Sequence, residues 1–138
     1  MNNKHDVHAQ IIGIGFVLPT AGWDKIGSDE ISIAGDILVM RPQSVDFNEQ
    51  LSRMGDYVEQ ELTAVLTNTQ QEEMQRYNSW LNGDVLALMM LTNDKVLVAG
   101  TRRAPVRLSM EVGGNPRTAK LTFKRKSPEW AKMMIEDV

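Results

Sequence analysis

The sequence predicts an α+β fold that is mainly antiparallel β, either a β-sandwich or a partly open barrel. One main helix at about 70–82 and a short C-terminal helical segment complete the expected architecture. Three observations predict it. Several short runs alternate apolar and polar residues with period two, as half-buried strands do. Turn residues punctuate those runs at close spacing, at Pro19-Thr20-Ala21-Gly22, Asn93-Asp94 and Gly113-Gly114-Asn115-Pro116. The window at 70–82 carries both an apolar helical stripe and a helix start signal.

The first strand is expected over residues 9–18. Ile12, Ile14, Phe16 and Leu18 share one parity there, and Gly13 and Gly15 signal a bend or a close backbone approach. Residues 19–30 read as loop. A second extended run, 31–40, places Ile31, Ile33, Ile37 and Val39 on one parity and is closed by Pro42. Residues 43–54 read as a connecting segment. Over 56–67 the apolar positions fit both periods, and Thr63, Val65 and Thr67 favour strand. Thr69 and Glu72 then form a capping box, in which hydroxyl and carboxylate each accept from a free N–H of the first helical turn. Met74, Tyr77 and Leu81 make the buried stripe of that helix, Trp80 widens it, and Asn82-Gly83 supplies a left-handed stop.

Four runs follow as a meander. Residues 85–91 are continuously apolar, as a central strand covered on both faces is, and Asn93-Asp94 turns the chain into 96–99. Residues 100–104 form a basic loop. Val106, Leu108, Met110 and Val112 alternate with Arg107, Ser109 and Glu111, and Ala119, Leu121 and Phe123 alternate with lysine and threonine. Both patterns are those of half-buried antiparallel strands. After Pro128, Trp130, Met133 and Met134 fit one helical face, which gives the expected C-terminal helical segment within 127–138.

The chain has 138 residues, 42% hydrophobic and 24% charged, with no cysteine. It reads as a single domain, 1–138, with a polar and flexible end at 1–8. Disulfides, thiol nucleophiles and cysteine-based zinc sites are excluded together. No window approaches the roughly 18 to 20 apolar residues of a membrane span, and the start leads into no signal-peptide pattern. A soluble protein made and kept inside a cell, with no membrane partner, is the expectation. The charge is lopsided: residues 1–94 hold 5 Lys/Arg against 14 Asp/Glu, giving −9, and residues 95–138 hold 10 against 4, giving +6. If the halves lie on different faces, copies attract head to tail; if strands interleave them, the charges spread evenly.

The search for catalytic chemistry is nearly empty. Gly13-Ile14-Gly15 begins a dinucleotide fingerprint, but Leu18 stands at the third glycine's place and Pro19 where a helix should open. No Gly-Lys-Ser/Thr phosphate loop occurs. His5 and His8 flank Asp6 in a polar end, where a frayed tail explains them better than a metal site. No metal or other cofactor is expected. Glu59 and Glu61 share one face of a strand and could serve as general acid and base, but with no pocket signal beside them a solvated face accounts for them better. The basic residues are the stronger candidates. Arg102, Arg103 and Arg107 cluster near one strand start, and Lys120 and Lys124 project opposite Leu121 and Phe123, where they could line a groove or lumen that sees phosphate. Aromatic interleaving is missing and the net charge is −3, which argues against a dedicated reader of nucleic acid.

Residues 55–126 carry a resemblance. Gly55-Asp56-Tyr57-Val58-Glu59-Gln60-Glu61-Leu62 leads through a helix ending Leu81-Asn82-Gly83 into Val85-Leu86-Ala87-Leu88-Met89. Then come Val96-Leu97-Val98-Ala99-Gly100-Thr101, Ala104-Pro105-Val106-Arg107-Leu108, Gly113-Gly114 and Leu121-Thr122-Phe123. This order of strand, helix and turn residues resembles the small tail or tail-associated structural proteins of tailed phages and prophages. It covers about half the chain, and no chemical group anchors it. Residues 1–54 match less clearly.

The resemblance implies a β-rich module that works by assembling into rings through edge strands and loops, without catalysis, and it favours strand at 56–67. Tube, tail-completion and baseplate roles all fit. Implied partners are further copies of the chain, other phage structural proteins and, at most, DNA contacted without sequence specificity. The implied location is the host cytoplasm during assembly and the virion afterwards. Contact segments would be the loops at 19–30, 41–54 and 100–105. Trp23 and Trp130 are candidate interface anchors, although core packing is the commoner fate of tryptophan. Two rivals stand beside this reading. One is a binding module for a small ligand or nucleic acid, with Lys120, Lys124 and the Arg102-Arg103 loop as its charged wall. The other is a small hydrolase using Glu59 or Glu61, which needs a pocket.

Overall fold

A computed structural model describes residues 10–52, 54–67, 71–78, 80, 83–115 and 117–135. The fold is mostly β. In chain order the strands are β1 (Ile11–Val17), β2 (Gly22–Asp24), β3 (Glu30–Ile33), β4 (Leu38–Met40), β5 (Ser44–Leu51) and β6 (Val58–Leu66). A helix α1 (Gln71–Asn78) follows, then β7 (Asp84–Leu91), β8 (Val96–Ala99), β9 (Val106–Gly113), β10 (Thr118–Ser127) and β11 (Lys132–Ile135).

The strands form one mixed sheet in the order β2-β3-β11-β8-β7-β9-β10-β6-β5, with β1 against β7 and β4 against β1. It is not closed into a barrel, because β2 and β5 are its two ends and do not pair. The strand β7 is the pivot. Its body lies between β1 and β8, while Asp84 and Val85 at its start pair with Arg107 and Val106 of β9. The sheet folds over there, so that β6, β9 and β10 share a core with β1, β4, β7 and β8. Phe16 of β1 and Phe123 of β10 meet across that core with ring centroids 6.0 Å apart. A second, smaller core holds Ile31 and Ile33 of β3 against Leu86 and Leu88 of β7 and Val98 of β8. Odd residues of β7 thus enter one core and Leu86 and Leu88 the other, which is the physical reason for its unbroken apolar run.

Local sequence explains most elements. Val58, Leu62, Ala64 and Leu66 of β6 are buried on one parity, so 56–67 is strand. Asp94 turns β7 into β8 with φ 66, a conformation that aspartate tolerates better than most residues. A methyl group at Gly15 would lie 2.8 Å from Ile37 Cγ2 and 3.1 Å from Leu38 O, so this glycine permits the close approach of β4.

Five expectations are corrected. The stretch 19–30, expected as loop, contains the strand β2, because β3 offers it an antiparallel edge. The helix is two turns long rather than the main element expected at 70–82; Tyr77 is buried and Met74 packs on the core, as the stripe requires. Thr69, Leu81 and Asn82 lie outside the described residues, as do His5 and His8. The C-terminal segment is the strand β11 and not a helix, because β8 offers it an antiparallel edge and β3 a parallel one, and long-range pairing outweighs a weak helical period. The run 31–40 divides into β3 and β4 at Gly35, whose φ of 135 no other residue adopts easily. The supposed connector 43–54 contains β5, an eight-residue strand paired along its length with β6.

Candidate functional site

The outer face of the segment β9-β10-β6-β5 carries an open groove of about 460 Å³. Strand parity builds it. Leu121 and Phe123 point into the core, so Lys124 and Lys126 point out; likewise Val58 and Leu62 point in while Glu59 and Glu61 point out. The registers then align the rows Arg107, Lys124, Glu61, Asn48 and Lys126, Glu59, Gln50 across neighbouring strands. Lys124 Nζ lies 3.7 Å from Glu61 Oε1, with both side chains largely in solvent, and Lys126 Nζ sits 5.3 Å from the Tyr57 ring centroid. In these rows two carboxylates, Glu59 and Glu61, stand among three cations, Arg107, Lys124 and Lys126. Such a surface suits a polar ligand bearing both donors and acceptors better than a polyanion. The hydrolase reading needs a closed cleft, and Glu61 stands half exposed in an open groove.

Arg107 and Lys124 therefore come together. Lys120 shares their face but sits farther along β10, opposite Glu111 and Val65, and does not line the groove. Arg102 and Arg103 lie elsewhere. The Arg102 guanidinium stacks 3.7 Å over the ring of Trp23 and donates to Thr20 O. Trp23 and Trp130 are 61% and 48% exposed, so neither is a core residue; Trp80 takes that place, edge-on to Phe16 at 4.9 Å. Ile26, at 78% exposure, adds to the uncovered apolar surface close to Asp24.

Beneath these residues is an ion cluster that sequence reasoning missed. Lys132 Nζ donates to Asp24 Oδ2 at 2.7 Å and to Lys25 O at 3.0 Å, and it lies 3.0 Å from Glu129 Oε2. Arg103 reaches the same Asp24 oxygen at 2.7 Å and Glu129 at 3.4 Å. The Gly27 N–H donates to Glu129 at 2.7 Å. Burial pushes the Asp24 carboxyl up, but hydrogen bonds and attraction from Lys132 and Arg103 outweigh it and hold the group below 3.8. Glu129 is likewise raised by burial and then held below 4.5 by the Gly27 N–H, Lys132 and Arg103. Both stay ionised at neutral pH.

Beside the cluster, Arg125 donates to Ala104 O at 2.8 Å and to Glu129 O at 3.1 Å, tying the basic loop to the C-terminal segment. Burial pulls its guanidinium down to about 10, against the attraction of Glu129, Glu49 and Asp24. Gln60 faces Arg125 in the β6–β10 register and donates to Glu49, which also accepts from the Ala131 N–H at 2.7 Å. Gln60 Oε1 and Arg125 Nε make no hydrogen bond among the described residues.

Parity was a usable signal for two of these residues. The alternation that buries Leu121 and Phe123 continues to Arg125, and the one that buries Val58 and Leu62 includes Gln60. For Asp24, Glu129 and Lys132 no local signal exists, since Asp24 and Lys132 are 108 residues apart. Among the described residues, no helix is long and apolar enough to cross a membrane. Comparison of the chain with protein-family models, curated proteins and solved structures finds no match.

Proposed function

We propose that this chain is a structural subunit of a phage or prophage tail, a β-rich module that assembles into a ring or tube and performs no catalysis. The observation that carries this reading is that, among the described residues, the segment β9-β10-β6-β5 has unpaired backbone at both ends: along β5 and along β9 beyond Leu108. Among the described residues, the strand β5 pairs with β6 alone, and on its other side β9 is held only over Val106 to Leu108, by the start of β7 and by Gly83. Unpaired strand edges are templates for another chain. Exposed Trp23, Ile26 and Trp130 add apolar anchors of the kind that interfaces use. The likeness of residues 55–126 to tail proteins points the same way.

Sedimentation velocity over a concentration series, with electron microscopy of the same samples, tests the proposal. Rings or stacked rings are the expected species. A monomer at every concentration and salt would count against it.

A second reading, a binding module for a ligand or nucleic acid, is favoured by one observation, the groove that joins Arg107, Lys124 and Lys126. Glu59 and Glu61 among those cations lower its affinity for a polyanion. A fluorescent oligonucleotide at low salt is the discriminating probe, and binding that falls steeply as salt rises is this reading's signature.

A further inference from the structure

Two edges left open among the described residues in one four-stranded segment raise a question of geometry: how a second copy meets them. The strands β9, β10, β6 and β5 are mutually antiparallel, so with β9 running up, β5 runs down. A copy placed beside β5 in the same orientation presents its β9 running up. The antiparallel alternation then continues across the boundary without any reversal. Such a contact uses two different edges, so it is head to tail and builds a ring or filament.

The backbone groups match. The Ser52 N–H donates to Tyr57 O at 2.8 Å, which fixes the phase of the β5–β6 ladder. Hydrogen-bonded positions alternate along an antiparallel strand, so Val45, Phe47, Glu49 and Leu51 turn their N–H and C=O groups to the side where no described strand pairs. In β9 the Leu108 N–H donates to Gly83 O at 3.1 Å, and the same alternation turns the groups of Met110 and Val112 outward. The edge of β5 also lacks protection. From Ser44 to Leu51 it contains no lysine, arginine or proline, the residues with which edges are usually blunted.

Side chains select the register. Setting Met110 opposite Phe47 puts Glu111 against Asp46, and like charges directly opposed are destabilising. Moving by two residues, with Met110 opposite Glu49, pairs Val112 with Phe47, places Glu111 against Asn48 and opposes no like charges; the new ladder ends before Leu108, whose N–H is already taken by Gly83 O.

We infer that β5 of one copy pairs antiparallel with the free part of β9 of the next, Glu49 facing Met110, so that the sheets of successive copies run on as one. This rests on the assembly reading and names its contact.

The chain has no cysteine, which makes cross-linking clean. Asn48 and Glu111 are both exposed and would be a directly opposed, non-hydrogen-bonded pair, where Cα atoms lie about 4.5 Å apart, within disulfide reach. The test mixes N48C with E111C under mild oxidation and examines the N48C/E111C double variant alongside, with sedimentation of the unmodified chain in parallel. The expected result is a disulfide-linked one-to-one dimer from the mixture, a ladder from the double variant, and no cross-link from either single variant alone. A symmetric dimer from N48C alone would overturn the proposal in favour of a two-fold β5 contact. No cross-link although the unmodified chain sediments as an oligomer would overturn this contact and leave assembly standing. No cross-link with an unmodified chain that stays monomeric would remove both.

Discussion

Lys132 donates from Nζ to Oδ2 of Asp24 at 2.7 Å, and the two side chains are only 2% and 1% exposed. This contact closes the chain between its acidic and its basic parts. Asp24 with Arg103, Asp24 with Lys132 and Glu61 with Lys124 each join an acid from residues 1–94 to a base from 95–138. The lopsided charge of the sequence is therefore partly neutralised within the fold, because β3 with β11, β6 with β10 and β7 with β8 interleave the two parts.

Removing the buried ammonium should be costly. Lys132→Met keeps most of the buried stem but leaves Asp24 and Glu129 with Arg103 as the remaining cation in direct contact among the described residues. Stripping one partner from a buried pair typically costs about 3–5 kcal/mol. Urea unfolding of the variant should show a loss of that order with an unchanged slope. A loss below about 1 kcal/mol, the range of exposed pairs, would mean that water reaches the cluster freely.

The same cluster sets a pH dependence. The folded state lowers the Asp24 and Glu129 carboxyls below 3.8 and 4.5. Groups lowered on folding contribute stability that is fully present above their unfolded values and is lost as pH falls through the folded ones. Urea midpoints should thus hold from pH 7 to about 5 and fall as acid approaches and passes the usual carboxylate range. In Asp24→Asn the starting stability should be lower and the acid-dependent loss smaller. An equal acid loss in that variant would assign the effect to other carboxylates.

Those two side chains also mark where reading the sequence stops. Periodicity exposed most strands, since a strand with one buried face writes its alternation locally, as Leu108, Leu121 and Phe123 do. It failed on β5, whose Val45 and Phe47 are only half-buried at the end of the sheet, whose Leu51 is exposed and whose other residues are polar. It failed on β11 because Trp130, Met133 and Met134 fit a helical face, whereas the pairing that decides the matter comes from β3 and β8. The groove was partly legible: the parity of β10 announced Lys124, and that of β6 announced Glu59 and Glu61. The ion cluster was not, because it is assembled from three segments that only the folded sheet brings together.

Gly15 offers a test of the packing of β4 on β1. In Gly15→Ala the new methyl group meets Ile37 Cγ2 at 2.8 Å and Leu38 O at 3.1 Å, and the second is backbone that cannot turn aside. Overpacking of this kind costs about 1–3 kcal/mol, which should appear as a lower melting temperature. Ile37→Ala in the same chain relieves only the side-chain part. The double variant should accordingly regain less than the whole loss, and full recovery would show that β4 shifts freely.

The pair in the groove should behave in the opposite way. Lys124 and Glu61 are 66% and 49% exposed at 3.7 Å, and exposed pairs contribute about 0–1 kcal/mol. Lys124→Glu sets two carboxylates side by side and should lower stability by no more than about 1 kcal/mol. Adding Glu61→Lys restores opposite signs and should return the urea midpoint to its original value. That outcome would leave these charges free for a ligand or a neighbouring copy, since the fold does not depend on them. A single-variant loss of several kcal/mol would instead make the groove part of the structural frame, and the binding-module reading would lose its one supporting feature.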